Sequence, residues 1–151
     1  MRLIENIARV LIVKDGYVLL ARSLGKDGTP RHAFLPGGHI EPGERAEETL
    51  KRELIEEVGI DSLRVGRFLA AQENIYPYEG ETSHEINLIF EGSFEDMNPE
   101  HTPVSKEGHI RYEWQRLDAL DKVNLKPEAL VEWIPQWAKG ARAGVFVKVL
   151  K

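Results

Sequence analysis

Apolar residues along this chain switch between two periods. From Ile7 to Val13 they run almost unbroken and are rich in β-branched side chains, which predicts a buried strand. Asp15-Gly16 follows, a pair suited to a two-residue hairpin turn, and Tyr17 to Ala21 returns as its partner. The polar stretch with Gly25, Gly28 and Pro30 is expected to be a loop, and Pro36-Gly37-Gly38 to stop any regular ladder. Ala46, Leu50, Leu54 and Val58 then recur at every fourth position, predicting a helix with Gly59 as its left-handed cap. Leu63 to Asn74 and Glu85 to Phe90 read as strands separated by an aromatic, turn-rich loop, and residues 91–109 as a long surface loop. Tyr112 to Leu117 predicts a short strand. Pro127 stands where a helix opens, ahead of Leu130, Trp133, Ile134 and Trp137 at helical spacing, and Pro135 should end or kink that helix. Val145 to Leu150 is a last strand. Strands around one central helix, closed by another, predict an α/β fold in which a mixed sheet lies between helices.

Composition narrows this picture modestly. The 151 residues suit one domain spanning 1–151, and 42% hydrophobic with 30% charged residues is ordinary for a globular chain. No apolar run approaches the roughly 20 residues that span a bilayer, and the first ten residues lack a signal-peptide pattern, so a cytoplasmic protein is expected. The absence of cysteine excludes disulfides, thiolate metal sites and a thiol nucleophile. A net charge of -5 argues against a nucleic-acid binder. It permits an anionic small molecule, because a bound divalent cation can reverse the local sign.

The chemistry concentrates in the predicted helix. At about 100° per residue, Glu57 projects between Ala46 and Leu50, and Glu53 lies some 20° outside the apolar stripe. Both carboxylates therefore border the face that packs inward. Glu53, Glu56 and Glu57, at i, i+3 and i+4, can converge on one point. Three converging carboxylates at a packing boundary repel one another unless a cation neutralises them. All-oxygen donors favour magnesium or manganese. Arg52 can pair with Glu56 and orient it. Pro36-Gly37-Gly38 lets backbone approach closely, so that a carbonyl there could complete a metal's coordination.

These residues resemble the Nudix signature at every position: Gly38, five residues, Glu44, seven residues, Arg52-Glu53-Leu54, one residue, Glu56-Glu57, one residue, Gly59-Ile60. Phe34-Leu35-Pro36-Gly37-Gly38 is similar to the strand that leads into this box, with Phe34 where tryptophan is common. Arg45 stands where many members carry a small capping residue, which predicts a poorly capped helix start. The resemblance implies an α/β/α sandwich and hydrolysis of a nucleoside diphosphate linked to another moiety, such as a nucleotide sugar, ADP-ribose or a modified nucleoside triphosphate. It implies that Glu53, Glu56 and Glu57 hold magnesium with help from the Gly38 or Gly37 carbonyl. Arg52 would orient the acids and Glu44 would support the loop. Either Glu53 or Glu57 is the expected general base, unless Glu95, Glu100 or Glu107 in a later loop takes that role.

Outside the box, Arg22 and Arg31 are candidates for phosphate contact, and Tyr76 and Tyr78 for stacking on a base. Solvated surface arginines and local aromatic packing are the competing readings. The tryptophan-bearing helix and the apolar tail are candidate homodimer surfaces. Two other functions compete with hydrolysis of a small nucleotide. A ligand-sensing module that no longer cleaves would usually have lost box acids, all of which are present. An RNA-end pyrophosphohydrolase would be expected to carry a basic cluster, which the chain lacks.

Overall fold

The computed structural model describes residues 3–142 and 144–150. In chain order its elements are β1 (Glu5–Leu11), β2 (Val13–Lys14), β3 (Tyr17–Leu24), β4 (Pro30–Phe34), β5 (Gly37–His39), α1 (Ala46–Val58), β6 (Arg64–Tyr78), β7 (Glu81–Ser93), β8 (Ile110–Arg116), a 3-10 segment (Leu117–Lys122), α2 (Leu130–Ala138) and β9 (Val145–Leu150). Five strands form a mixed sheet in the order β5-β1-β7-β6-β9, in which β1 runs parallel to β7 and β9 parallel to β6. A second sheet is built on β3, which pairs antiparallel with β8, β2 and β4.

Alternation along the strands divides the interior into two clusters on opposite sides of the large sheet. Ala8 and Val10 of β1, and Ile12 just after it, pack with Leu50 and Leu54 of α1. Leu11, Leu69 and Ile89 pack with Leu130, Ile134 and Trp137 of α2. Strand β3 feeds both, sending Leu19 and Ala21 to the first cluster and Val18 and Leu20 to the second. The sheets therefore lie between two helices, as expected, although they are two sheets rather than one. No helix of the described residues is long and apolar enough to cross a membrane.

Several local expectations need correction. The polar stretch after Ala21 is mostly strand: β3 continues to Leu24 and β4 begins at Pro30, a first-residue position that needs no ladder donor. Gly37 to His39 also joins a ladder, with Gly38 opposite Ala8. At Gly37 a Cβ would lie 1.9 Å from the Ala8 carbonyl oxygen, so only glycine permits this approach. The aromatic segment is the end of a long hairpin, with Tyr78 opposite Glu81 across Glu79-Gly80. Both turn residues have positive φ, 50° and 77°, the signature of a tight turn whose twist matches its strands. Helix α2 starts at Leu130, three residues after Pro127, and continues through Pro135 to Ala138. Pro135 cannot donate to the Val131 carbonyl, but burial of Ile134 and Trp137 holds the turn in place.

Helix α1 spans the predicted residues, and Gly59 adopts φ 70° with its N–H donating to the Ile55 carbonyl and the Ile60 N–H to the Leu54 carbonyl. Its start is better capped than Arg45 suggests. A guanidinium has no acceptor for the first-turn N–H groups, yet the Glu48 carboxylate reaches back to the Arg45 backbone N–H at 3.0 Å and its Nε at 3.0 Å.

Candidate active site

The box glutamates are organised around one guanidinium. Arg52 donates from Nε and Nη2 to the two carboxylate oxygens of Glu44, at 2.7 and 3.0 Å, a forked pair. Its Nη1 donates to Glu53 at 2.9 Å and to Glu56 at 3.3 Å, and Nη2 also reaches the His39 carbonyl. Glu44 in turn accepts from the buried Thr49 hydroxyl at 2.6 Å. The hydrogen bonds from Arg52 and Thr49 hold the Glu44 carboxyl down at about 2. Arg52 is thus the hub that ties the β5 loop to the helix. The bond to Glu56 read from helical spacing is its longest hydrogen bond to a carboxylate.

Glu57 goes elsewhere. It is only 8% exposed and accepts a short hydrogen bond from the Tyr112 hydroxyl of β8. Burial pushes its carboxyl up to about 7; the Tyr112 bond counteracts this, while the like charges of Glu53 and Glu107 add to it. Burial and the adjacent Glu57 raise the Tyr112 phenol in turn, so it remains a donor. Glu53 lies against the glycine turn: a Cβ on Gly38 would meet its carboxyl carbon at 2.3 Å. The three acids therefore do not converge into one cage. Glu53 and Glu56 share Arg52, Glu57 is pinned to β8, and among the described residues no group of three acidic or histidine side chains is set for an ion.

The donor set still fits a hard divalent cation. A carboxylate kept near 7 by burial, with like-charged neighbours, is a group that a cation would relieve, and every side-chain donor here is oxygen. Glu107 belongs to a later loop, which is tied to the helix end by the Lys106 N–H donating to the Glu57 carbonyl at 2.7 Å. Of the later acids, Glu107 is the one whose charge acts on Glu57.

On the α2 side of the large sheet lies a cavity of about 610 Å³. Gln72, Asn74 and Tyr76 of β6 and Glu85, Asn87 and Ile89 of β7 share its floor, as strand alternation dictates. Tyr76 and Tyr78 both line it, edge to face at 6.5 Å, so the predicted stacking pair is placed on the cavity. The Tyr76 hydroxyl donates to Glu85 at 2.6 Å; burial and that bond push the phenol up to about 12. Arg22 is directed into protein instead. It is 8% exposed, its Nε donates to Glu113 at 3.0 Å, and its Nη1 donates to the Arg31 and Val123 carbonyls. Arg31 is exposed, beside Gly25. Neither arginine lines the cavity.

Two residues that the sequence did not single out stand at the centre of the arrangement. Tyr112 gave no signal beyond its place in a strand, because its partner is distant in sequence. Arg9 was hidden inside an apolar run, where a lone charged residue on a buried strand could have drawn attention. It lines the cavity, donates to Asn87 and the Leu35 carbonyl, and packs 5.4 Å from the Phe34 ring.

Comparison with known proteins agrees with this geometry. Nucleoside triphosphatase NudI of Salmonella agona (strain SL483) is 50% identical over 50 residues, 32% of this chain and 36% of that protein. The RNA pyrophosphohydrolase of Erwinia tasmaniensis is 41% identical over 75 residues, 49% of this chain and 39% of that protein. The matches thus span less than two-fifths of either relative. In fold, the chain is similar to a NUDIX hydrolase from Nitrosomonas europaea, with a TM-score of 0.69 at 14% identity, over 100% of this chain and 81% of that one. Residues 5–137 match the family described as the NUDIX domain, and the chain belongs to that family.

Proposed function

We propose that this protein hydrolyses the phosphoric anhydride bond of a nucleoside diphosphate derivative or nucleoside triphosphate, using magnesium or manganese. The observation that carries this reading is the intact, Arg52-centred set of box carboxylates, with buried Glu57 kept near 7. Glu53, Glu56 and Glu57, with a Gly37 or Gly38 carbonyl, would hold the cation. Once bound, such a cation offsets the charge of the diphosphate and makes water more acidic.

The remaining work falls to the chain's own residues. Arg52, fixed by its fork on Glu44, holds Glu53 and Glu56 side by side, and binding a cation requires these acids and Glu57 to turn towards one point. Tyr112 keeps its proton and holds one Glu57 oxygen in place. A proton from the attacking water passes to Glu53 or Glu57, the two carboxylates at the packing edge. The cavity, walled by Tyr76 and Tyr78, is of the size that encloses a nucleoside.

The test is turnover of a broad panel of nucleoside triphosphates, nucleotide sugars and dinucleoside diphosphates with magnesium and with manganese, with products identified. No turnover of any member would sink the proposal. Glu53→Gln and Glu57→Gln separate the roles: loss of a base lowers kcat with cation affinity kept, whereas loss of a ligand lowers both. A second reading, cleavage at an RNA 5′ end, is supported by the likeness to the Erwinia tasmaniensis enzyme. A 5′-triphosphorylated oligoribonucleotide in the same panel decides between them.

A further inference from the structure

Arg9 is a half-buried cation without an anion. Its guanidinium is enclosed by β1, β7 and the Leu35 backbone, and burial lowers its proton affinity. Elsewhere in the fold Arg22, Arg52, Arg67 and Arg116 all hold carboxylates. Arg9 instead donates only to neutral oxygens, Asn87 Oδ1 at 3.1 Å and the Leu35 carbonyl at 3.2 Å, and forms no ion pair among the described residues. Glu85 is the nearest carboxylate influence, but its oxygens are committed to Tyr76 and to the Asn87 amide at 2.6 and 3.2 Å. Five N–H groups are available to a guanidinium, and two bonds leave a face of it unused.

A second donor lacks a partner at the same level of the sheet. Gln72 stands opposite Asn87 in the β6–β7 ladder, is 2% exposed and lines the same cavity; its Nε2 has no hydrogen-bond partner. A buried donor without an acceptor is costly, and a half-buried cation held only by neutral oxygens still has its charge to be matched. The two, flanking one asparagine, describe a recess built for an anionic oxygen. Arg9 stands opposite Gly37 in the β1–β5 ladder, which places it beside the glycine turn that leads into the box.

We infer that Arg9, seconded by Gln72, binds a phosphate oxygen of the substrate, next to the nucleoside and on its way to the box carboxylates. This rests on the reading of the cavity as a nucleoside site. It assigns the anion contact to Arg9 in place of Arg22 and Arg31. Arg9 would thereby set the position of the scissile linkage, with a charge-assisted fork on the phosphate.

The test uses the full chain in EDTA, so that no cation contributes. Affinities are measured for AMP, GMP, CMP and UMP and for the four matching nucleosides. The wild type should bind the monophosphate of its preferred base about tenfold or more tightly than the nucleoside, the increment of a charge-assisted pair. Arg9→Gln should reduce that ratio to near one with nucleoside affinity kept, and Arg9→Lys should retain part of it. An unchanged ratio in Arg9→Gln overturns the assignment while leaving the cavity reading intact. If neither nucleosides nor monophosphates bind the wild type, the cavity reading fails, and inorganic pyrophosphate decides for Arg9. Affinity lost in Arg9→Gln upholds the site, and affinity absent or unaltered overturns it. Should Arg9→Gln fail to fold, the rise in Tm with pyrophosphate is compared between wild type and Arg9→Lys. A smaller rise in the lysine variant supports the site, and an equal rise overturns it.

Discussion

At Glu57 two demands meet in one side chain: it must be buried enough to close the interior and charged enough to take a cation. Burial holds its carboxyl at about 7, above the usual value of 4.5. Because the folded-state value is raised, the group contributes stability that is full below about 4.5 and is lost as pH rises through about 7. In EDTA the Tm difference between wild type and Glu57→Gln should therefore shift against the wild type as pH is raised across that window. A difference independent of pH would contradict it. Tyr112→Phe removes the donor to this carboxylate; it should cost about 1–3 kcal/mol in urea unfolding and lower kcat as well. Gly38→Ala is expected to leave the fold, read by circular dichroism, and to displace Glu53. Turnover should drop by about tenfold or more, because the added carbon overlaps a flexible side chain rather than backbone.

Helix α1 shows how much an element's identity was legible and where legibility stopped. Four-residue spacing of Ala46, Leu50, Leu54 and Val58 fixed its bounds, and the wheel put Glu57 inward, as found. The same spacing suggested three acids meeting at a point. That failed because Arg52 intervenes and Tyr112 offers Glu57 a separate partner, and both facts depend on contacts across the chain. The cap is hidden from local sequence for a related reason: Glu48 supplies the bond that Arg45 cannot accept. Glu48→Ala should lower Tm slightly, with kcat unchanged. The β6–β7 hairpin was read as two strands with an aromatic loop because Pro77 and the polar residues obscured the alternation. Glu79-Gly80 was the turn signal. Gly80→Val, strained at φ 77° though in open space, should cost about 1–2 kcal/mol and raise KM more than it lowers kcat. An equal effect on both would detach the hairpin tip from substrate binding.

Taken whole, the molecule divides its labour between the two sides of one sheet. The box helix covers one face and carries the charge chemistry. The other face carries the cavity, with α2 closing part of it. Local periodicity revealed each layer, but not that β1 serves both. Ala8 and Val10 pack under the helix while Arg9, between them, turns to the cavity. That alternation gives β1 side chains on both faces of the sheet. It also predicts asymmetric sensitivity. Leu54→Ala should cost about 2–5 kcal/mol as a fully buried core truncation, whereas Tyr78→Ala should leave Tm nearly unchanged and shift only substrate affinity.

The long hairpin has an arithmetic of its own. Gln72, Asn74, Tyr76 and Tyr78 face the cavity because they are an even number of residues apart, and the two-residue turn returns the partner strand in the matching phase. Lengthening both arms by two residues each would extend the cavity wall and keep the existing faces. An insertion of one residue in a single arm would turn every side chain beyond it to the opposite face, unless a bulge absorbed it. Pocket depth in this protein can therefore grow only in steps of two, and the carboxylate helix, which belongs to a different stretch of sequence, need not change when it does.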